Sequence, residues 1–291
     1  MLKKDGLCMR DYFCGWYFKC RSETQTLAVI PAVHTSKEGK SCSIQLITDD
    51  GAWNFVFPYK IYREHKKDFH VQFGENSFDK SGICLNLQTP ECTAVGNIRF
   101  GELSPICYDI MGPFKYVPFM ECRHSVMSMR HTVNGELRIN DKLYRFDNAA
   151  GYIEGDRGNS FPKEYAWTQC FFYGGSIMLS VADIPFGLFH FTGIIGVIML
   201  HGREYRIATY LGAKAFKIEN GKIVIRQGDA VLTVKLIEKK AHPLHAPVGG
   251  VMSRTIHESA SCRTSYRFEK NGQVLFSFES DRASLEYEYA K

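Results

Sequence analysis

The stretch Gly151-Tyr152-Ile153-Glu154-Gly155-Asp156-Arg157-Gly158-Asn159-Ser160-Phe161-Pro162 runs into Tyr165-Ala166-Trp167-Thr168-Gln169, and it gathers two carboxylates, a guanidinium, several aromatic rings and a carboxamide. Side chains alternate along an extended segment, so Glu154 and Asp156 point to the same side. Two carboxyl groups so placed repel when both are ionised, which raises the pKa of one, and Arg157 can relieve the other. A carboxylic acid kept protonated beside apolar walls is what proton addition to an alkene requires. The plainer reading is that these groups pin a turn-rich connection by hydrogen bonds, since ion-pair networks perturb charges without any chemistry.

Other catalytic patterns are missing from the sequence. It contains no Gly-x-Ser-x-Gly, no Gly-x-x-x-x-Gly-Lys, no Gly-x-Gly-x-x-Gly and no His-Glu-x-x-His. His242 and His245 stand three apart, but beside prolines in an expected loop, which is a weak metal signal. Without a Cys-x-x-Cys pair, no structural zinc site is expected, and the metal expectation for the chain is none.

The 36 basic and 31 acidic residues leave a net charge of +5, interspersed along the chain, which argues against a nucleic-acid groove. Lys3 and Lys4 are followed by Asp5, Arg10 and Asp11 where a secretory leader would be apolar. Ten cysteines without a leader read as reduced thiols of a cytoplasmic protein, and Cys8, Cys14 and Cys20 recur at a spacing that puts them on one strand face. The most apolar stretch, Ile184 to Leu200, holds Pro185, Gly187, His190, Gly193 and Gly196. It reads as a buried strand pair or the lip of an apolar pocket rather than a membrane span, with contact to a membrane surface left open.

Period-2 alternation recurs in Ile44–Thr48, Ile83–Leu87 and Val231–Leu236. Asn134-Gly135, Asn220-Gly221 and Asn271-Gly272 read as hairpin turns, with Asn140-Asp141 a weaker fourth. The expected class is therefore all-β. Internal echoes suggest a duplication: Gly74 and Phe78 against Gly212 and Phe216, Trp16 and Cys20 against Trp167 and Cys170, and long hairpins from His124 to Phe146 and from Ile256 to Phe278. The glycines 151, 155 and 158 with Pro162 suggest a boundary there, giving halves 1–157 and 158–291. Each half is long enough to close an antiparallel barrel able to hold a small apolar ligand; two sandwiches with solid cores are the alternative.

The motifs Glu121-Cys122-Arg123-His124, Met129-Arg130-His131 and Gly135-Glu136-Leu137-Arg138-Ile139-Asn140, and above all Gly151 to Gln169, resemble the tocopherol cyclase family. The resemblance spans residues 120 to 182 most clearly. It implies two related lipocalin-like barrels in tandem and kinship with carotenoid hydratases. Characterised members protonate the double bond of a prenylated quinol and let the phenol oxygen trap the cation. Carried onto this chain, the resemblance makes Glu154 and Asp156 the catalytic acids and Tyr152, Arg157, Trp167, Gln169 and His124 the substrate contacts. The ligand is then an apolar molecule of prenyl or fatty type, and no cofactor is implied, because proton-driven cyclisation needs only an acid and a shaped apolar site. Beside this cyclase (isomerase-type) reading stand a non-catalytic carrier of an isoprenoid or fatty ligand and a scaffold with filled barrels.

Overall fold

A computed structural model describes residues 11–65, 68–117, 120–186, 189–238 and 242–289. Strands hold 74% of the described residues and helix 4%. The first part of the chain forms β1 (Tyr12–Arg21), β2 (Thr26–Ser36), β3 (Gly39–Thr48), β4 (Ala52–Pro58), β5 (Tyr62–Glu64), β6 (His70–Phe73), β7 (Asn76–Asp79), β8 (Gly82–Gln88), β9 (Thr93–Phe100), β10 (Cys122–Ile139) and β11 (Lys142–Gly158). The rest forms β12 (Tyr165–Phe172), β13 (Gly175–Phe186), β14 (Phe189–Leu200), β15 (Arg203–Ala208), β16 (Lys214–Glu219), β17 (Lys222–Gln227), β18 (Ala230–Glu238), β19 (His242–Val248), β20 (Val251–Lys270) and β21 (Gln273–Tyr287). Alternation sets the strands as the sequence suggests: in β8, Ile83, Leu85 and Leu87 are buried while Asn86 and Gln88 are exposed.

Two antiparallel sheets result, ordered β4-β3-β2-β1-β11-β10-β9-β8-β7-β6-β5 and β15-β14-β13-β12-β21-β20-β18-β17-β16, with β19 on β20. In both, the first strand of the sheet pairs with the last, so each sheet curls back on itself. The first is a nearly closed barrel, and the architecture is two related lipocalin-like antiparallel barrels in tandem. Each encloses its own core, with Phe18, Phe78 and Phe146 in the first and Tyr266, Phe268 and Ile198 in the second. A third core fills the space between the sheets, where Tyr17, Met129 and Tyr152 meet Trp167, Met178 and Ile256. Among the described residues no helix is long and apolar enough to cross a membrane.

Several sequence expectations change on the structure. Asn220-Gly221 and Asn271-Gly272 do make turns with positive φ, at 50° and 72° and at 52° and 74°. Asn134-Gly135 instead lies inside β10 at a register shift. A Cβ on Gly135 would come 2.3 Å from the Asn97 carbonyl oxygen, so close approach of β9, not a turn, demands the glycine. Gly151, Gly155 and Gly158 likewise lie within β11 rather than in a linker, and His242 and His245 lie on a strand rather than in a loop. Gly74 and Gly212 precede β7 and β16, which hold the same place in their sheets. Phe78 is buried in a core, however, whereas Phe216 is 67% exposed beside a register shift, under the Arg226 guanidinium. The tryptophan echo also moves by one residue: Tyr17, not Trp16, faces a glutamate as Trp167 does. Cys20 and Cys170, three residues further on, are both fully buried. Cys8 lies outside the described residues.

Candidate active site

Three neighbouring strands of the first sheet build the site. In β11 the alternation turns Glu154 and Asp156 inward. β10 sets His124 directly opposite Asp156, and β1 sets Tyr17 opposite Glu154. The His124 imidazole stands between the two acids, with Nδ1 at 2.8 Å from Asp156 Oδ1 and Nε2 at 3.0 Å from Glu154 Oε2. Glu154 Oε2 also accepts the Tyr152 hydroxyl at 2.5 Å and the Trp167 indole N–H at 3.2 Å. All three of these contacts are made by Oε2. Burial works against a charge on His124, but the carboxylates of Asp156 and Glu154 outweigh it and hold its pKa well above the ordinary imidazole value.

These atoms lie within 4.8 Å of one another, close enough to be weighed as a metal-ligand set. Each ring nitrogen, however, already faces its own carboxylate. A metal bound through either would have to displace an imidazolium proton that both acids stabilise, so the arrangement fits an ion-paired triad better than a metal centre.

The triad opens on a cavity of about 160 Å³ between the two sheets. Phe13, Trp16, Phe114 and Phe161 give it an aromatic wall, and Trp167, Ile184 and Ile194 reach it from the second sheet. Within the apolar stretch, residues 184–186 and 189–200 lie on the paired strands β13 and β14, and Ile184, Phe191 and Ile194 line the cavity, while Phe189 is 76% exposed. This cavity lies between the two sheets.

Of the residues singled out from the sequence, Glu154, Asp156, His124 and Trp167 come together at the cavity. Tyr152 is fully buried and holds Glu154 from behind. Arg157 does not join them: the alternation that turns its neighbours inward leaves it exposed, so the cation between the two acids is His124. Gln169 is buried away from the cavity, and its backbone carbonyl accepts Lys19 Nζ at 3.4 Å. Sequence reasoning missed two further cavity acids, Glu258 and Glu286, with Tyr165 donating to Glu286. Charged residues on an alternating strand read as its solvent face, and only pairing the C-terminal hairpin with β12 reveals them.

No family model matches the chain, and no curated protein matches it in sequence. Solved structures do match its fold. CghA with bound Sch210972 superposes with a TM-score of 0.63 over 96% of this chain and 88% of that one, at 11% identity. Kievitone hydratase from Nectria haematococca gives 0.57 over 96% and 89%, at 10% identity. At such identities the likeness is one of fold.

Proposed function

We propose that the protein binds an apolar, alkene-bearing small molecule of prenyl type in the cavity between its barrels and adds a proton to the double bond, in the manner of tocopherol cyclases. The observation that carries this is a buried, proton-holding carboxylate–imidazole triad set in an aromatic-walled cavity. The proton held on His124 Nε2 passes to Glu154, which gives it to the less substituted alkene carbon, and a tertiary cation forms at the other. Asp156 holds the imidazole in place. The faces of Trp16, Phe114 and Trp167 shelter the cation, since ring quadrupoles attract positive charge. A hydroxyl then traps it, forming the C–O bond. Two neighbours of the same fold agree with this chemistry: one is by name a hydratase, and one was crystallised with a small molecule. Hydration and cyclisation of an alkene can begin with the same protonation.

A prenylated hydroquinone is the probe. It should quench the fluorescence of the cavity tryptophans and be consumed by the wild type. Glu154→Gln should keep the quenching and lose turnover by roughly 10²–10⁴-fold. Quenching without turnover would make the protein a carrier, and no quenching would refute the ligand class.

A further inference from the structure

Strand pairing sets a second pair of acids against the first. Tyr17 of β1 faces Glu154 of β11; Trp167 of β12 faces Glu286 of β21. Glu154 and Glu286 therefore hold the same position in the two sheets, and both line the cavity. One strand further on, the sheets differ: the first places Val126 beside Glu154, and the second places Glu258 beside Glu286.

Glu258 and Glu286 are direct cross-strand neighbours, 2% and 8% exposed, and both line the cavity, with Glu258 Oε1 buried and without a hydrogen-bond partner among the described residues. Two ionised carboxylates are acceptors only and repel when buried side by side, so the pair is best accommodated with one proton between them. The Tyr165 hydroxyl donates to Glu286, and the Tyr17 hydroxyl donates to Ser284 Oγ at 3.1 Å. Among the described residues neither acid forms an ion pair. Around the pair, Glu154, Asp156 and Glu288 add negative charge, and the Lys19 ammonium is attracted to Glu258.

We propose that Glu258 and Glu286 share one proton as a carboxyl dyad, a second acid–base group on the cavity wall built by the second sheet. Burial, and then mutual repulsion at Glu258, push both carboxyls above the usual range, as such sharing requires. The inference rests on the function proposed above and completes its proton path. Glu154 protonates carbon from one wall. The trapping hydroxyl forms its C–O bond, its O–H bond breaks with the electron pair left on oxygen, and the proton passes to the ionised member of the dyad. The substrate class is accordingly an apolar alkene that carries its own hydroxyl.

An apolar aryl epoxide, phenoxymethyl oxirane, tests the dyad without the natural substrate. The ionised carboxyl attacks the terminal epoxide carbon, the ring C–O bond breaks, and the protonated partner supplies the proton to the departing oxygen, leaving a glutamyl ester. Peptide mass spectrometry near neutral pH should place the ester on Glu258 or Glu286, with labelling slowed roughly tenfold or more in Glu258→Gln and Glu286→Gln. Should either variant fail to fold, the wild-type adduct map decides alone. Label on Glu154 or Asp156 but not on the pair overturns the dyad and leaves the proposed cavity function standing, as does an unlabelled cavity that still takes up the prenylated hydroquinone. An unlabelled cavity without quenching overturns both.

Discussion

Lys19 on β1 is fully buried, and its ammonium donates to two backbone carbonyls, of Gln169 at 3.4 Å and Arg282 at 3.3 Å, with the Phe171 ring 5.7 Å away. Burial lowers its pKa from 10.5 to about 8. Between those two values the unfolded chain binds more protons than the folded one, so stability should rise with pH across that window and be penalised in full below it. The shift corresponds to about 3 kcal/mol. Lys19→Met keeps the length and removes the charge. It is expected to stabilise the fold by about 1–3 kcal/mol near neutral pH, with the gain fading across the window and gone above its upper end. Thermal unfolding of both proteins across that range measures this. An equal gain at all pH values would show that packing, not the buried charge, is responsible.

Elements fix the site through close approach. β11 crosses between β1 and β10, and at Gly158 a Cβ would lie 1.9 Å from the Glu121 carbonyl oxygen, which also accepts the Asn159 N–H at 2.9 Å. Gly158→Ala should force β10 and β11 apart and destabilise the fold by about 3 kcal/mol, read as a lowered urea midpoint. An unchanged midpoint would mean the strand end yields freely. The same elements show what the sequence could carry. Alternation alone put Glu154 and Asp156 on one face, because period 2 is a local property of strands. It could not bring His124 between them, because that contact depends on a long hairpin whose register shifts between Val126 and Ser128, between Ser128 and His131 and between Val133 and Gly135. Reading Gly151, Gly155 and Gly158 as a linker failed for a related reason: glycine serves strand crowding as well as turns, and sequence does not separate the two.

The whole molecule joins two all-β sheets whose matched strand orders put corresponding strands, β1 and β11 against β12 and β21, around one cavity. The fold class was legible because alternation and Asn-Gly turns are local signals. The location of the cavity was not, because the sheets meet through a core drawn from both. Polar contacts tie them as well: Arg21 Nη1 donates to the Phe171 carbonyl at 2.7 Å, and Gln45 Nε2 to the His245 carbonyl at 3.1 Å. The proposed function therefore requires Glu154 of one sheet and Trp167 of the other to act on a single ligand. The most direct test of that claim is turnover of a prenylated hydroquinone in heavy water, with the product examined by mass spectrometry. Protonation by Glu154, which exchanges with solvent, predicts one deuterium on the former alkene carbon in the wild-type product, with formation slowed roughly 10²–10⁴-fold in Glu154→Gln. Deuterated product formed at the wild-type rate by Glu154→Gln, or no product above buffer from the wild type, would contradict it.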